Sequence, residues 1–358
     1  MSLRPEQVIQ KIEEYYREYP GCHGRSAHSI ARRATDEMEE AREDVADLID
    51  ASPENLMWTS GTTEGINTVA NGTEFEKVVA TDREHNSNLV PWQESDCKLE
   101  IISTDGGIDL EELGEVVDEN TLVSMVHVSN LDGWTLPAEK ISEVVHDRGG
   151  MLMLDGAQSV PHRKISVKDI RPDFLAFSGH KMLGPSGTGA LYVSDRGKKV
   201  LKRTESGGGA VNHSTYDSAD FRDFPEGFEP GLPNLAGFIG LGEAARYMKD
   251  TGLEEIERHE RTLSDRLHDV LDSINGVSRV GVRGRGVASF RVDGVDPSQV
   301  AVMLDDRDIA VRSGMHCVHS WFDSYGEEAS VRASLHLYNT EEDVERLREA
   351  LERIALLS

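Results

Sequence analysis

The sequence predicts an α/β fold: a large domain with a mostly parallel mixed sheet between helices, plus a smaller C-terminal α+β domain. Three observations carry this. Short apolar runs alternate with amphipathic stretches through the middle of the 358-residue chain, the pattern of strands and crossover helices in a sheet covered on both faces. Past about residue 250 the alternation gives way to a long amphipathic stretch and clustered strands. No internal repeat, low-complexity tract or Pro/Ser-rich linker interrupts either part.

Residues 1–20 read as an N-terminal helical segment, 21–252 as the large domain and 253–358 as the small one. The expected buried strands are Lys77–Ala80, Glu100–Ile102, Val123–Val128, Met151–Leu154, Phe174–Phe177 and Ala190–Val193, short apolar runs with helical patterns such as Leu110–Val117 and Ala138–Arg148 between them. In the small domain a helix over Leu253–Ile274 leads to strands near Val277–Val282 and Val287–Val292. A helix follows Asp296-Pro297-Ser298, then a strand at Ile309–Arg312 and a closing helix at Thr340–Leu357 with Thr340 as its cap. Ligands of such sheets bind at the carboxyl ends of the strands.

Composition narrows the function. There are 65 acidic and 38 basic residues, a net charge of −27, and arginine outnumbers lysine 27 to 11. The acidic segments Asp36–Asp50 and Glu341–Glu352 carry apolar residues at helical spacing, so they read as solvated helix faces. Such a surface repels nucleic acid, and its shortage of lysine points to a salt-rich cytoplasm. No run of eighteen apolar residues offers a membrane span. The N-terminus lacks an apolar secretory core. Three scattered cysteines, Cys22, Cys97 and Cys317, suit a reducing, cytoplasmic setting.

Six stretches carry chemistry. Phe177-Ser178-Gly179-His180-Lys181 ends a strand with a Ser and a His that can donate to a phosphate and a Lys whose amine can form a Schiff base; alone it could be a surface turn. Met151–Asp155 is an apolar strand ending in an acid 26 residues before Lys181. A carboxylate there can keep a pyridinium nitrogen protonated, although an aspartate at a strand end is more often a cap. Ser60-Gly61-Thr62-Thr63-Glu64-Gly65 enters a helix and suits a phosphate, or forms a capping box on Thr62 or Thr63. Glu84-His85-Asn86 places His85 where it could stack on an aromatic ring. Val311-Arg312-Ser313-Gly314-Met315-His316-Cys317-Val318-His319 sets a cysteine beside Arg and His, as a nucleophilic thiolate requires. Its rivals are an inert buried thiol, or a metal site from His316, Cys317 and His319 that lacks a fourth ligand; no metal is expected. Arg332, in an apolar strand-like stretch, needs a partner, and a substrate carboxylate matches its fork.

Together these stretches resemble the class V, fold-type I pyridoxal 5'-phosphate (PLP) enzymes, specifically the SufS-type (group II) cysteine desulfurases. The resemblance runs from about residue 21 to the end, through SGHK, DGAQ, GTTEGIN, EH-x-SN-x-x-PW, HVSN, R-x-G-x-HC and RASL-x-x-YN in the family's order. It implies that Lys181 carries PLP and moves a proton, that Asp155 pairs with the pyridine nitrogen, and that His85 stacks on the ring. Gln158 and Asn130 would lie near the phenolic oxygen, Asn130 also near the substrate carboxylate. Thr62, Thr63, Ser178 and His180 would hold the phosphate. Arg332 would bind the carboxylate of L-cysteine, with Arg25 and Arg312 lining the pocket. Cys317 would take the sulfur as a persulfide and release alanine. The resemblance further implies a homodimer and transfer of sulfur to a SufE/SufU-like acceptor or scaffold for iron–sulfur cluster assembly.

Four departures stand out. The family's N-terminal strand and Asn-Ala-Ala-like turn are missing, which implies either a late start codon or a more open pocket. Leu232 stands where the family has a threonine reaching the partner's phosphate. His85-Asn86 and Met315-His316-Cys317 replace a doubled histidine and a His-His-Cys. The first-loop His-Arg-Gly is shifted, as His23-Gly24-Arg25-Ser26. The competing readings are another class V enzyme (selenocysteine lyase, aminotransferase or epimerase) and a degenerate PLP-fold scaffold.

Overall fold

The computed structural model describes residues 1–24, 26–105 and 107–356; Arg25 therefore lies outside the described residues. The large sheet has seven strands: β1 (Leu56–Thr59), β2 (Lys77–Thr81), β3 (Lys98–Ile102), β4 (Thr121–Val126), β5 (Met151–Asp155), β6 (Phe174–Ser178) and β7 (Gly189–Val193). Their spatial order is β1-β7-β6-β5-β4-β2-β3. The pairs from β6 through β5, β4 and β2 to β3 are parallel, while β7 is antiparallel to both β6 and β1. The fold is thus the expected α/β sandwich on a mostly parallel, mixed sheet. Strands buried on both faces explain the continuous apolar runs: all six residues of β4 are buried, as are Phe174, Leu175, Ala176 and Phe177 of β6. Each large apolar side chain among them, such as Leu122, Met125 or Phe177, contributes roughly 1.5–3 kcal/mol through its removal from water.

Helices cover both faces. Ser29–Asp47 buries Ala31, Ala34, Met38, Ala41 and Val45, one face at helical spacing, and exposes Asp36, Glu39, Glu40 and Glu43 on the other. It packs with Glu6–Glu18 against Leu235–Thr251. Small residues, Gly237, Gly240, Gly242, Ala244 and Ala245, dilute the apolar periodicity of Leu235–Thr251, and the sequence reading passed over this helix.

A two-stranded ribbon, β8 (Val211–Ser214) and β9 (Ala219–Phe221), stands apart from both larger sheets. The C-terminal part holds an antiparallel sheet of β10 (Val277–Val280), β11 (Val287–Val292), β12 (Arg312–Gly314) and β13 (Ser330–Ser334), in the order β10-β11-β13-β12. Helices Leu253–Ser273, Pro297–Asp305 and Glu341–Ala355 pack on it around Leu267, Phe290, Val331 and Leu351. Thr340 caps the last helix in a reciprocal capping box with Asp343. The strand expected at Ile309–Arg312 instead begins at Arg312. Pairing with β13, rather than the apolar run before it, sets the start, with Arg312 opposite Arg332.

Candidate active site

Sheet order explains why residues scattered over a hundred positions meet. β6, β5, β4 and β2 are consecutive neighbours, about 4.8 Å apart, and their carboxyl ends lead into Ser178–Lys181, Asp155–Gln158, His127–Asn130 and Glu84–His85 respectively. A cavity of about 450 Å³ opens there, bounded on its far side by Arg312, Arg332 and the segment after β13. The structure brings Thr62, Thr63, His85, Asn130, Asp155, Gln158, Ser178, His180, Lys181, Arg312 and Arg332 together in its wall.

The floor begins where β1 passes through Ser60-Gly61 into helix Thr62–Gly72. Gly61 has φ +151°, and a Cβ there would come within 3.0 Å of the Ser178 hydroxyl. Its absence lets Ser178 Oγ accept the Thr62 amide at 2.8 Å and sit 2.7 Å from Thr62 Oγ1. Thr63 Oγ1 pairs with Ser87 Oγ at 2.8 Å. The capping-box reading of Thr62 and Thr63 is corrected: Glu64 takes the Ser60 amide at 2.6 Å, and Gly61 at the N-cap has no side chain to cap with. The threonine hydroxyls, Ser178 and the positive end of the helix form a cradle for an anion. On the neighbouring turn, a Cβ at Gly179 would collide with the Thr188 side chain, so glycine lets the Lys181 turn sit close against β7.

Asp155 is 3% exposed at the tip of β5, and its Oδ1 accepts the Ala157 amide at 2.9 Å. Loss of hydration pushes the Lys181 ammonium below its ordinary range; Asp155 opposes the shift, and Arg332 and Arg312 add to it. His85 caps helix Asn86–Gln93, its Nδ1 accepting the Ser87 amide at 3.0 Å. Burial lowers His85 to about 4 despite Asp155. The ring is therefore neutral at pH 7 with its proton on Nε2. His180 is likewise lowered to about 4, by burial and then by Lys181.

Glu84 is a site residue that sequence reasoning missed. It is 2% exposed and burial raises it to about 7, while it accepts from Thr81, Asn88 Nδ2 (2.6 Å) and the Val126 amide (3.0 Å). It ties the end of β2 to the end of β4 and so orients His85. A lone acid before a histidine carried no signal of burial. Ser87 was also missed, although it stood within the same motif.

The far wall is cationic. Arg312 and Arg332 face each other across β12 and β13, and neither forms an ion pair among the described residues. Arg332 Nη1 donates to the Asn130 carbonyl at 2.8 Å, and its buried Nε has no partner. Burial, then repulsion from Arg312, lowers Arg332 to about 10. Asn130 donates to the His316 carbonyl at 2.8 Å, while its buried Oδ1 also lacks a partner. The orphaned Arg332 Nε, beside two guanidinium ions that form no ion pair among the described residues, leaves donors that a carboxylate could satisfy, whereas the orphaned Asn130 Oδ1 is itself an acceptor and calls for a donor.

Cys317 lies behind this wall. Arg312 Nη2 is 3.1 Å from its Sγ. His316 and Cys317 both adopt left-handed φ, +52° and +62°, a strained local geometry that turns the thiol out of the strand direction. The rival metal reading of this loop is corrected: His316 Nε2 is bonded to Ser330 (2.9 Å) and His319 Nδ1 to Asn86 (2.9 Å), so the ligand atoms do not converge.

The residues present fit a phosphate-bearing aromatic aldehyde: an anion cradle at one end, an amine at Lys181, a buried carboxylate at Asp155 and a neutral ring at His85. The Aminotransferase class-V family matches residues 1–347. A probable cysteine desulfurase of Halalkalibacterium halodurans is 39% identical over 98% of this chain and 90% of its own length. One of Methanothermobacter thermautotrophicus is 39% identical over 98% of this chain and 92% of its own. The apo structure of cysteine desulfurase from Thermococcus onnurineus superposes with a TM-score of 0.95 at 36% identity, covering 100% of this chain and 93% of that one.

Proposed function

The chain belongs to the aminotransferase class-V family, and from that premise we propose that it is a PLP-dependent L-cysteine desulfurase that leaves a persulfide on Cys317. The observation that carries this reading is the Arg312–Cys317 contact at 3.1 Å, next to a carboxylate-ready Arg332 that shares the cavity with Lys181.

The net reaction balances as L-cysteine plus the Cys317 thiol giving L-alanine plus the Cys317 persulfide. The substrate's Cβ–S bond breaks, its sulfur bonds to Sγ, and Cβ gains a proton. When bound, PLP supplies an electron sink that activates the substrate. This chain's residues do the rest. Thr62, Thr63, Ser178 and His180 would hold the phosphate, and Asp155 would keep the ring nitrogen protonated. Neutral His85 would stack on the ring, and Gln158 with Asn130 would lie near the phenolic oxygen. Arg332, helped by Asn130, orients the substrate carboxylate so that its sulfur faces Cys317. The depressed Lys181 amine, free of its proton more readily than an exposed lysine, moves the Cα proton. Arg312 places a fixed positive charge beside the accepting sulfur.

The assignment extends to a homodimer, to hand-over of the sulfur to a SufE/SufU-like acceptor or scaffold for iron–sulfur cluster assembly, and to a cytoplasmic, salt-rich setting. Support for the setting comes from the three free cysteines and the charge of −27. No helix among the described residues is long and apolar enough to cross a membrane. The assignment also divides the chain into 1–20, 21–252 and 253–358, supported by two apolar cores that part within the helix Leu253–Ser273, one ending at Ile256 and the other starting at Leu263. Purified protein should show a visible cofactor band and convert cysteine to alanine and sulfide under reductant. Consumption of another amino acid with Cys317 dispensable would favour a different class V reaction.

A further inference from the structure

Behind the Lys181 turn lies a side-chain cluster that the proposed reaction leaves unused. His162 sits in the turn after β5, Glu260 within helix Leu253–Ser273, and His336 just past β13. Three distant segments thus converge, and one ligand atom from each lies within 4.8 Å of the others. His162 Nδ1 is 2.8 Å from Glu260 Oε2, His336 Nδ1 is 3.7 Å from Glu260 Oε1, and the two imidazole centroids are 4.9 Å apart. We propose that His162, Glu260 and His336 form a binding site for one divalent cation of the zinc class.

Glu260 supplies the first reason. It is 4% exposed, and its buried Oε1 has no hydrogen-bond partner. An unpaired buried carboxylate oxygen is costly, and a cation is the partner that removes the cost.

The state of His336 supplies the second. Its Nε2 lies 3.1 Å from the Lys181 carbonyl, which can only accept. The ring proton is therefore on Nε2, which leaves Nδ1, 3.7 Å from Glu260 Oε1, as the acceptor nitrogen. A metal-binding histidine has this arrangement, one nitrogen on the metal and the other donating to a carbonyl. The Leu337 amide at 2.8 Å, donated from the adjacent residue, is the contact a cation displaces.

Two imidazoles and one carboxylate suit zinc and its neighbours better than magnesium or calcium, which favour all-oxygen sets. Three protein ligands leave a fourth position open. His162 and His336 also line the main cavity, which provides an entry path. A bound cation clasps the turn after β5, the long helix and the segment after β13 together, one bond away from the backbone of Lys181.

The test uses chelator-treated holoenzyme and zinc alone. Equilibrium dialysis should find one zinc per chain for the wild type and for Cys317→Ser, with affinity at least about tenfold weaker in His336→Ala and Glu260→Gln. Zinc should raise the melting temperature of the wild type and not of those variants. Zinc-edge X-ray absorption on the wild type should give a nitrogen/oxygen shell at about 2.0–2.1 Å and no sulfur at about 2.3 Å; this readout decides alone if a variant fails to fold. No zinc on the wild type, unchanged binding in both variants, or a sulfur shell overturns the proposal.

Discussion

The backbone amide of Asn86 donates to the carbonyl of Cys317 at 2.7 Å, binding the first turn of the His85-capped helix to the loop that carries the thiol. The Asn86 side chain meets His319 Nδ1 at 2.9 Å, two residues beyond the thiol. One residue thus fixes Cys317 from both sides, while Asn130 holds His316 at 2.8 Å. The strained φ values at 316 and 317 persist because these contacts over-determine them.

Proline at position 86 removes that amide donor together with the side-chain contact to His319. Asn86 is the first helical residue, where proline is tolerated, and His85 has the extended backbone (φ −62°, ψ 145°) that a following proline demands. Asn86→Pro should keep the fold and the cofactor band but slow alanine formation from cysteine by about tenfold or more, because a small misplacement of a nucleophile is costly. Steady-state assays of alanine release check this; an unchanged kcat means the loop is held by other contacts.

Arg332→Lys should weaken substrate binding. The fork's second donor is lost, and a charge-assisted hydrogen bond is worth roughly 1.5–3 kcal/mol, about ten- to a hundredfold in KM. Cysteine titrations should show KM rising far more than kcat falls. The reverse split would place Arg332 in the chemistry instead.

Much of this site was legible because chemistry-bearing residues sit at strand ends, where apolar runs stop abruptly. Asp155 after MLML and Ser178 to Lys181 after FLAF announced themselves. Parallel strands made the sheet readable for the same reason, since double-sided burial leaves continuous apolar runs. Short β12 and the ribbon β8/β9 were not legible: their pairing is set by partners distant in sequence, and their residues are mostly polar and exposed. Glu84 and His336 were missed because only tertiary packing reveals a buried polar side chain, and the half-buried Ser87 and His162 because only the fold brings them to the cavity. The orphaned Oδ1 of Asn130 and Nε of Arg332 belong to the same class of fact.

Acid should destabilise the protein through its buried histidines. His85 and His180 are lowered to about 4, and His127, His316 and His336 to about 3, each chiefly by burial. The unfolded chain takes up these protons below about pH 6.5 and the folded one does not, so stability falls as pH drops from 6.5 towards 4. Glu84, raised to about 7, works the other way between about 4.5 and 7 and offsets part of the loss. Melting temperatures measured between pH 7 and 5 should decrease, with a shallower slope in His127→Gln. A flat profile would contradict the burial of these rings.

High salt should stabilise the protein. A net charge of −27 repels itself in dilute buffer, and screening over about 3 Å at 1 M relieves that repulsion. The melting temperature should rise from dilute buffer to molar KCl; a maximum in dilute buffer would show that the acidic faces carry no such load.

The central claim is that Cys317 accepts the sulfur of cysteine. The direct measurement is the intact mass of the Cys317 peptide after the PLP-loaded enzyme meets L-cysteine without reductant. The wild type should gain one sulfur atom on that peptide, reversed by reductant, and Cys317→Ala should gain none and release no alanine. An unmodified Cys317 in protein that turns over cysteine, or full turnover by Cys317→Ala, would contradict the account.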